Sequence, residues 1–521
     1  MMHTPSPEDP AHPAPAGGDA APAPSTGHER RLHPWSWLFV LLQQLRQFIV
    51  PLLVLVFLGR GDSYALWPLV GVAALAAASV WKYFTYRYEV EADRLVVRDG
   101  LLERNVRQVP FARIHNVALH QNLLHRAFGV AEVRLESAGG TKPEAEMRVL
   151  RMGEALALER LIRTRGSTAA TTTTDNPAGI DDGDDAGRLM LQLPFGELVR
   201  LGLVSNRGMV VVAGAFAVAW QALPDRMLAD LVRELLGQVM GHVGTLAHGV
   251  AGRALAVAMV VVLAMALLRL LSILLALTQY HGFRLLMQGR RLTVERGLLT
   301  RLRTSVPRRR IQAWTLREGL LHRLLGRRSL HVDTAAGAGE GGEQRGLREV
   351  APIATPEACD TLVCEVLPGA AWPPPTWQRL HPRAWLRLAL PGVALSILAA
   401  GGACWHFGPP GLAILAWAPW ATFVARRHAG LAGYALDGRL VAVRAGWWSR
   451  HWRFAEIDKI QALRLEQSPL DRFFGMATLW LDTAGARPTT PSLRLRLMPL
   501  AEARALHRHL AAELAHMPLR W

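Results

Sequence analysis

The chain has 521 residues, of which half are hydrophobic and 19% are charged, and its net charge is +17 at pH 7. A mean hydropathy of +0.15 is high for a soluble protein. The basic balance suits nucleic acid or the anionic cytoplasmic leaflet of a bilayer, and long apolar runs favour the leaflet. No recognised nucleic-acid-binding module occurs, so no nucleic-acid partner is predicted. Cys359, Cys364 and Cys404 form no CxxC pair or metal-ligand spacing and predict free thiols in a reducing compartment.

The chain begins with a low-complexity tail and contains two linkers. Residues 1–29 are rich in Pro, Ala and Gly and lack the apolar core of a signal peptide, so they predict a disordered tail. Residues 166–187 have the composition of a flexible acidic linker. The Pro-rich residues 368–378 predict a stiffer linker.

Six apolar segments approach the roughly 20 residues that a membrane-crossing helix needs. They predict three hairpins at 31–81, 191–277 and 379–425, with spans at 38–58, 64–81, 203–223, 254–277, 386–405 and 409–425. Gln43, Arg46 and Gln47 interrupt the first span, and Arg269 interrupts the fourth. A charge that faces lipid is costly, so these groups are expected to face other helices or an interface.

Basic residues set the predicted orientation. They crowd the flanks away from the short links inside the hairpins, as at Arg30, Lys82, Arg284, Arg426 and Arg427. Such residues stay on the cytoplasmic side. Both termini and all three soluble modules are therefore predicted to be cytoplasmic, in a multi-pass protein of the cell inner membrane.

Each hairpin precedes a copy of one soluble module, at 82–165, 278–367 and 426–515. Residues 100–129, 297–326 and 446–475 align without a gap, which indicates a tandem repeat. The recurring positions are Gly100, Gly297 and Gly446; Arg104, Arg301 and Arg450; Ile114, Ile311 and Ile460; Leu124, Leu321 and Leu470; Arg126, Arg323 and Arg472; and Gly129, Gly326 and Gly475.

Within each module the pattern predicts about seven short strands and one closing helix. The first recurring glycine lies between two strand patterns, where a tight hairpin needs a positive φ. The closing helices are predicted at 152–165, 355–367 and 499–515. The expected fold class is α+β, with six transmembrane helices in three hairpins, each followed by a small bent sheet or barrel with a helix across its open end.

On these residues the chain resembles the bacterial pleckstrin-homology (membrane-flanked) domain family, and its three tandem units resemble the YdbT-like subgroup. In unit one the resemblance depends on Gly100, Arg104, Ile114, Leu124, Arg126 and Gly129. It covers about residues 31–515. It implies a cytoplasmic PH-like split β-barrel with a C-terminal capping helix in each unit and residence in a membrane. It implies no catalytic residue. Asp471 departs from the pattern, since units one and two have histidine there.

Two recurring positions and one basic run are candidates for contact with anionic lipid headgroups. These residues are Arg104, Arg113, Arg301, Arg308, Arg309, Arg310, Arg450 and Lys459. Plain solvated charge is an equally good interpretation of them. A third recurring cation lies ten residues before an acidic residue in each unit. The pairs are Arg126 with Glu136, Arg323 with Asp333, and Arg472 with Asp482. For this position an internal Arg–carboxylate pair is the preferred interpretation.

The sequence favours a non-enzymatic membrane protein whose modules bind proteins or the lipid surface, and the resemblance implies envelope maintenance or resistance to membrane-active agents. No catalytic residue, cofactor or metal site is predicted. The expected partners are the lipid bilayer and either a single-unit, YdbS-like membrane protein or another copy of the chain. The alternative is a transporter or membrane enzyme whose site lies among the spans, at Gln43, Arg46, Gln47 or Arg269.

Overall fold

We describe a computed structural model of the chain. The structure describes residues 30–31, 36–39, 41–42, scattered positions between 70 and 85, 86–168 except 92, 101–104, 112–113 and 138–144, 187–222, scattered positions between 230 and 241, and 249–516 except 335–346 and 486–489. Most of the first two predicted spans, most of the 224–253 link and the N-terminal tail lie outside these residues.

In unit one, seven strands and the two helices after the fifth and seventh of them are described, besides scattered helical positions between residues 36 and 85. Its elements are β1 (Arg30–Arg31), β2 (Arg87–Val90), β3 (Arg94–Asp99), β4 (Asn105–Pro110), β5 (Ile114–Gln121), α1 (Leu123–Ala127), β6 (Val130–Ser137), β7 (Ala145–Arg151) and α2 (Met152–Thr168).

Unit two repeats this order, and three helices are described between its first two strands. Its elements are β8 (Arg188–Gln192), α3 (Phe195–Val204), α4 (Arg207–Ala222), α5 (Gly249–Tyr280), β9 (Arg284–Gln288), β10 (Arg291–Arg296), β11 (Arg301–Pro307), a 3-10 turn (Arg308–Arg310), β12 (Ile311–Glu318), α6 (Leu320–Leu324), β13 (Arg328–Thr334), β14 (Glu349–Ala354) and α7 (Pro356–Val366).

Unit three has the same plan. Its elements are β15 (Gln378–Arg379), α8 (Ala384–Phe407), a 3-10 segment (Pro409–Ala416), α9 (Trp417–Leu431), β16 (Gly433–Asp437), β17 (Leu440–Ala445), β18 (Arg450–Glu456), a 3-10 turn (Ile457–Lys459), β19 (Ile460–Glu466), α10 (Pro469–Phe473), β20 (Met476–Thr483), β21 (Arg494–Pro499) and α11 (Leu500–His516).

The closing helices and the glycine turns agree with the sequence prediction, whereas only six of the seven strands lie inside each predicted module and the seventh precedes it. Each unit has four strands before its 3-10 or equivalent turn and three after it, and α2, α7 and α11 follow the last strand. The three hairpin glycines have positive φ, at 94° for Gly100, 111° for Gly297 and 96° for Gly446. The described part of the chain is thus an α+β structure built on antiparallel sheets.

The sheets do not stop at the unit boundaries. One seven-stranded sheet has the order β7-β6-β5-β11-β10-β9-β8, and the other has the order β14-β13-β12-β18-β17-β16-β15. The last three strands of one unit therefore continue into the first four strands of the next. We call the pairing of β5 with β11 the first seam and that of β12 with β18 the second seam.

Both seams use the same register. In the first seam Arg301 lies opposite Gln121. In the second seam Arg450 lies opposite Glu318. These residues occupy equivalent positions of the repeat, so each unit joins its neighbour by the same edge-to-edge contact.

The apolar core also crosses the second seam. Phe454 on β18 stacks on Trp314 of β12 with ring centroids 6.3 Å apart. It stacks on Trp372, just after α7, at 4.0 Å. All three side chains are buried, and each large buried side chain contributes roughly 1.5–3 kcal/mol of transfer free energy. Units two and three therefore share a core.

In units two and three, the first strand precedes the apolar helices that the sequence predicts to form a hairpin. In unit two, β8 ends at Gln192, the hairpin follows, and β9 then returns to pair with β8. In unit three, β15 pairs with β16 in the same way across hairpin three. The residues before and after each of these two hairpins are therefore held side by side as paired strands of one sheet.

Among the described residues, two helices are long and apolar enough to cross a membrane, at Ala254–Tyr280 and Ala384–Phe407. A third candidate is a pair, Phe195–Val204 and Arg207–Gln221, bent by 53°. The predicted span at 409–425 is instead a 3-10 segment followed by a helix of 15 residues. The structure therefore does not support six transmembrane helices.

Hairpin two packs through glycine, as close helix contacts in membranes do. A Cβ added at Gly208 on α4 would lie 2.5 Å from the carbonyl oxygen of Leu268 and 2.6 Å from Oγ of Ser272 on α5. The backbone N–H of Gly208 donates to that same Ser272 Oγ at 2.9 Å. By contrast, a Cβ at Gly214 on α4 would meet nothing within 4 Å.

A Gly208→Ala substitution is expected to cost about 1–3 kcal/mol, because the added methyl group overpacks the helix contact. Gly214→Ala is the matched control on the same helix and should leave stability unchanged. Thermal unfolding of the detergent-solubilised protein measures both variants. Equal midpoints for the two would show that α4 and α5 do not pack in this way.

Candidate functional site

The direction of the strands defines a membrane-proximal end in each of units two and three. In unit two, α5 ends at Tyr280 and β9 starts at Arg284, so β9 leads away from the membrane helix. The strand β10 returns, and the N–H of Gly297 bonds the carbonyl oxygen of His281 at 2.9 Å. In unit three, β16 likewise leads away from the end of α9, and β17 returns toward it. The residues just after Gly297 and Gly446 thus lie beside the ends of the apolar helices.

Exposed apolar side chains collect at this end. They lie on the loops 298–300 and 447–449 and on the short helices α1, α6 and α10, which we together call the rim. The exposed members are Leu123 and Leu124; Leu298 and Leu299; Leu320, Leu321 and Leu324; Trp448; and Leu470 and Phe473. Leu324 and Phe473 are each 82% exposed. An exposed apolar patch of this kind marks a surface that binds a partner or a membrane.

The rim is continuous from unit to unit because a recurring arginine ties each short helix to the next loop. Nη1 of Arg126, on α1, donates to the carbonyl oxygen of Leu298 at 3.1 Å. Nη1 of Arg323, on α6, donates to the carbonyl oxygen of Trp447 at 3.3 Å. Leu298 and Trp447 are equivalent positions, so the two contacts are one contact repeated.

In unit two the predicted internal pair of Arg323 with Asp333 is absent, although Nε of Arg323 lies 3.9 Å from the carboxylate of Glu318 in its own unit. Arg323 bonds the neighbouring unit, and its expected partner Asp333 contacts Arg453 of unit three at 2.7 Å instead. The repeat spacing is equally compatible with a contact within a unit and a contact between units. The seam geometry, which sequence spacing does not contain, decides between them.

Three contacts place the rim at the level where apolar helices begin or end. Trp447 packs on Phe423 of α9 with ring centroids 5.6 Å apart. Nε of Arg387, near the start of α8, contacts Oδ1 of Asp471 on α10 at 3.0 Å. In unit one, the ring of His125 lies 4.3 Å from that of Phe39. Trp and Arg at helix ends are typical of a membrane interface.

The predicted basic residues fall at two opposite ends of the sheets. Arg301 and Arg450 start β11 and β18 beside the rim. Arg301 is exposed, whereas Arg450 faces Glu318, with Nη1 at 3.9 Å from Oε1. Both also lie at a seam. The structure therefore brings these two cations to the membrane-proximal end.

The run Arg308–Arg310 and the residue Lys459 lie at the far end. They form the 3-10 turns after β11 and β18, and the N–H of Arg308 bonds the carbonyl oxygen of Arg290 in the distal hairpin. At about 3.3 Å per residue, the strand β11 separates this turn from the rim by roughly 20 Å. Burial lowers the pKa of Arg310, and nearby Arg309 lowers it further. Arg104 and Arg113 lie outside the described residues.

Acidic side chains near the rim are paired with arginine. Glu197 on α3 contacts Arg327 at 2.8 Å, and Glu318 contacts Arg328 at 2.9 Å. Burial lowers the pKa of His322 on α6, with Glu318 opposing, so this histidine is neutral at pH 7. The charge that the rim leaves exposed is therefore positive, as at Arg301 and Arg472.

Asp471 has a structural role that explains its departure from the repeat. Its Oδ2 accepts the Ser468 N–H at 3.0 Å, and its own N–H donates to Ser468 Oγ at 3.1 Å, which forms a capping box on α10. Burial raises its pKa, but the bonds from Ser468 and Arg387 outweigh burial and hold the pKa below the usual value. Asp471 thus caps α10 and links it to α8 through the ion pair with Arg387.

An Asp471→Asn substitution is expected to cost about 1 kcal/mol at pH 7, since it weakens the cap and removes the ion pair with Arg387. The pKa of Asp471 is lower in the folded protein than the value of about 3.9 in the unfolded chain, so its ionised carboxylate stabilises the fold above about pH 3.9. This stabilisation is lost as the pH falls through the pKa of the folded state. The difference in thermal midpoint between wild type and Asp471→Asn should therefore shrink below about pH 4. A difference that does not change with pH would contradict the ionised cap.

Arg269 on α5 forms hydrogen bonds with the residues that separate α3 from α4. Its Nη1 donates to the carbonyl oxygens of Leu203 at 3.0 Å and Ser205 at 3.1 Å, and to Oδ1 of Asn206 at 3.2 Å. Carbonyls at a helix C-terminus favour a cation. Arg269 therefore caps α3. Gln43, Arg46 and Gln47 lie outside the described residues.

No group of His, Cys, Asp and Glu that could hold a metal ion occurs in the part of the chain that the structure describes. Cys359 is buried, and burial raises the pKa of its thiol to about 12. This thiol therefore stays protonated at neutral pH. Outside the apolar helices, the rim is the surface on which exposed apolar side chains of the described residues lie beside exposed arginine.

Comparison with known proteins agrees with the threefold repeat. The sequence profile of the family described as "Bacterial PH domain" matches residues 38–166, 234–357 and 385–514, together more than half of the chain. The UPF0699 transmembrane protein YdbT of Bacillus subtilis (strain 168) is 20% identical over 340 residues, which cover 62% of this chain and 66% of that protein, just under two thirds of its length. No solved structure matches the chain.

Proposed function

Because the chain belongs to the bacterial PH domain family, we propose that it is a non-enzymatic membrane scaffold whose PH-like units form one row along the cytoplasmic leaflet. The observation that carries this proposal is the rim, on which exposed leucine, tryptophan and phenylalanine lie beside the ends of apolar helices in successive units. Fold alone does not assign a function to such units. The position of the rim supports contact with the lipid surface.

The proposed topology has three membrane hairpins with both termini in the cytoplasm. The hairpins and modules would divide at the boundaries that the sequence predicts, with a sheet strand before each hairpin. Basic residues beside the rim support this orientation, because arginine next to a span stays on the cytoplasmic side. Arg426 stacks on Trp385 at 4.2 Å, where α8 and α9 lie side by side.

Within the rim, we assign leaflet contact to apolar side chains and to exposed arginine. Leu298, Leu324 and Phe473 would enter the interface, and Arg301 would meet anionic headgroups, with each such charge worth about 1 kcal/mol. The distal cations, Arg308–Arg310 and Lys459, would face the cytoplasm. There the exposed Arg309 would meet an acidic protein surface, whereas Lys459 is already paired with Asp458 at 2.6 Å. A role in envelope maintenance or resistance to membrane-active agents fits a scaffold of this kind.

Spin-label accessibility in nanodiscs tests the proposal. Labels would be placed singly at Leu324→Cys and Phe473→Cys on the rim, and at Arg309→Cys and Lys459→Cys on the distal turns, in a full-length chain whose native cysteines are replaced. Rim labels should collide with lipid-soluble oxygen, and distal labels with a water-soluble nickel chelate.

Nanodiscs with and without anionic lipid separate the apolar from the electrostatic contribution. The rim labels should move deeper when anionic lipid is added, because exposed arginine lies beside them. Rim labels that are as accessible to the nickel chelate as the distal ones would overturn the proposal of leaflet contact.

A further inference from the structure

At each end of the row of units, the strand whose equivalents form the seams has an open edge. Among the described residues, β4 pairs only with β3, at the edge of the sheet β1-β2-β3-β4. Likewise β19 pairs only with β20, at the edge of the sheet β19-β20-β21. By position in the repeat, β4 is the equivalent of β11 and β18, and β19 is the equivalent of β5 and β12. The two open edges are thus the two halves of one further seam.

Exposure along these strands shows what a partner would cover. Asn105, Val106, Arg107 and Gln108 on β4 are all exposed. At the position of Arg107 the two seams have Thr304 and Arg453, which are 3% and 1% exposed. Open strand edges of this kind are usually blocked or covered in native proteins.

The charges at the open edges match a pair that the second seam already contains. There, Arg453 contacts the carboxylate of Asp333 across the seam at 2.7 Å. The equivalent of Arg453 in unit one is Arg107, and the equivalent of Asp333 in unit three is Asp482. Both Arg107 and Asp482 are exposed. A seam between the two ends would place these opposite charges together.

A second repeated contact is also incomplete at the end of the row. Arg126 and Arg323 each bond a carbonyl oxygen of the following unit. The third member of this set, Arg472 on α10, is exposed, and no following unit lies among the described residues. Its guanidinium is placed to bond the same loop of an added unit.

We propose that two copies of this chain join head to tail, with β19 of one copy pairing with β4 of the next in the seam register. Asn105 would then lie opposite Glu466, Val106 opposite Leu465, and Arg107 opposite Arg464. Arg107 would bond Asp482, which offsets repulsion from Arg464. The inference rests on the proposed row of units and extends it beyond one chain.

The proposed pairing keeps both copies in one membrane. The membrane-proximal ends of β4 and β19 are Asn105 and Glu466, and the register sets these two residues side by side. Both copies would therefore insert their helices in the same direction. Because the contact joins two different surfaces, repetition produces a ring or an open filament.

Disulfide trapping in native membranes tests the pairing. One copy carries Asn105→Cys and a differently tagged copy carries Glu466→Cys, both without native cysteines. Mild oxidation should give a covalent dimer that contains both tags. Asn105→Cys with Ala462→Cys is the matched control, since it keeps the same strand face but lies four residues, about 13 Å, out of register.

A charge reversal tests the specific contact. Asp482→Arg should reduce the cross-linked fraction at least fivefold, and Arg107→Glu in the partner copy should restore it. A Leu302→Cys, His120→Cys chain reports the first seam in the same membranes. Head-to-tail self-assembly is wrong if that internal disulfide forms while the two copies do not cross-link. It is also wrong if Glu466→Cys cross-links only to a different protein. In both cases the row of units within one chain is unaffected.

Discussion

A Gly297→Ala substitution is expected to displace the loop 298–300 and to cost at least about 2 kcal/mol. The φ of Gly297 is 111°, a conformation that an L side chain rarely adopts. An added Cβ would also lie 1.9 Å from the carbonyl oxygen of Thr300. That oxygen belongs to the backbone, so relief of the clash requires the hairpin itself to move.

The same substitution should weaken the contact between units, because the displaced loop includes Leu298, whose carbonyl oxygen accepts from Arg126. Gly446→Ala repeats the test in unit three, where the Cβ would lie 1.9 Å from the carbonyl oxygen of Ser449. Gly326→Ala is the control. Its φ is also positive, at 61°, but an added Cβ meets nothing within 4 Å, so only the backbone penalty of about 1–2 kcal/mol remains.

Thermal unfolding in detergent micelles measures all three variants, and limited proteolysis measures Gly297→Ala at the first seam and Gly446→Ala at the second. The expected order of stability is wild type, then Gly326→Ala, then Gly297→Ala and Gly446→Ala together. If Gly326→Ala were as damaging as the other two, the close approach of the Thr300 and Ser449 carbonyls would not be the cause.

The second large effect is expected when the ion pair of the second seam is broken. Arg453 is 1% exposed, and its Nη1 contacts Asp333 at 2.7 Å and Thr315 Oγ1 at 2.9 Å. Asp333→Ala leaves the guanidinium buried without its counter-charge. Such a change costs about 3–5 kcal/mol, so units two and three should separate or unfold together.

Replacement of both partners should be far less damaging. An Asp333→Leu, Arg453→Met chain removes both charges, and apolar replacement of a buried pair is often neutral. The first seam already has the uncharged Thr304 at the position of Arg453. Glu365→Ala is the surface control, because the Arg188–Glu365 pair at 3.0 Å is largely exposed on its arginine side and is worth about 1 kcal/mol or less. Equal losses in Asp333→Ala and Glu365→Ala would contradict a buried seam.

The repeat, the strands inside each module and the hairpin glycines were all predictable because they depend on local pattern. Gly297 has to adopt a positive φ wherever two strands meet in so tight a turn. The closing helices were predictable because their apolar residues recur at helical spacing. The structure extends them by a few residues at most, as at Met152–Thr168 and Leu500–His516.

The seams were not predictable in this way. Arg323 and Asp333 are ten residues apart, which suggests a pair across adjacent strands, yet each bonds a different residue of unit three. A repeat with identical units contains the same spacing whether partners come from one unit or from two. The strand β8 was missed for a related reason, since five residues before a hairpin carry too little pattern to reveal a partner more than 90 residues away.

Disulfide trapping across both seams within one chain tests the central claim, that the three units form a single row of shared sheets. Leu302→Cys with His120→Cys reports the first seam, and His451→Cys with Arg317→Cys reports the second; both are Cα partners in the structure. We expect an intramolecular disulfide in each chain in native membranes, and none when either cysteine is moved four residues along its strand. Absence of both disulfides, with the chains otherwise folded, would contradict it.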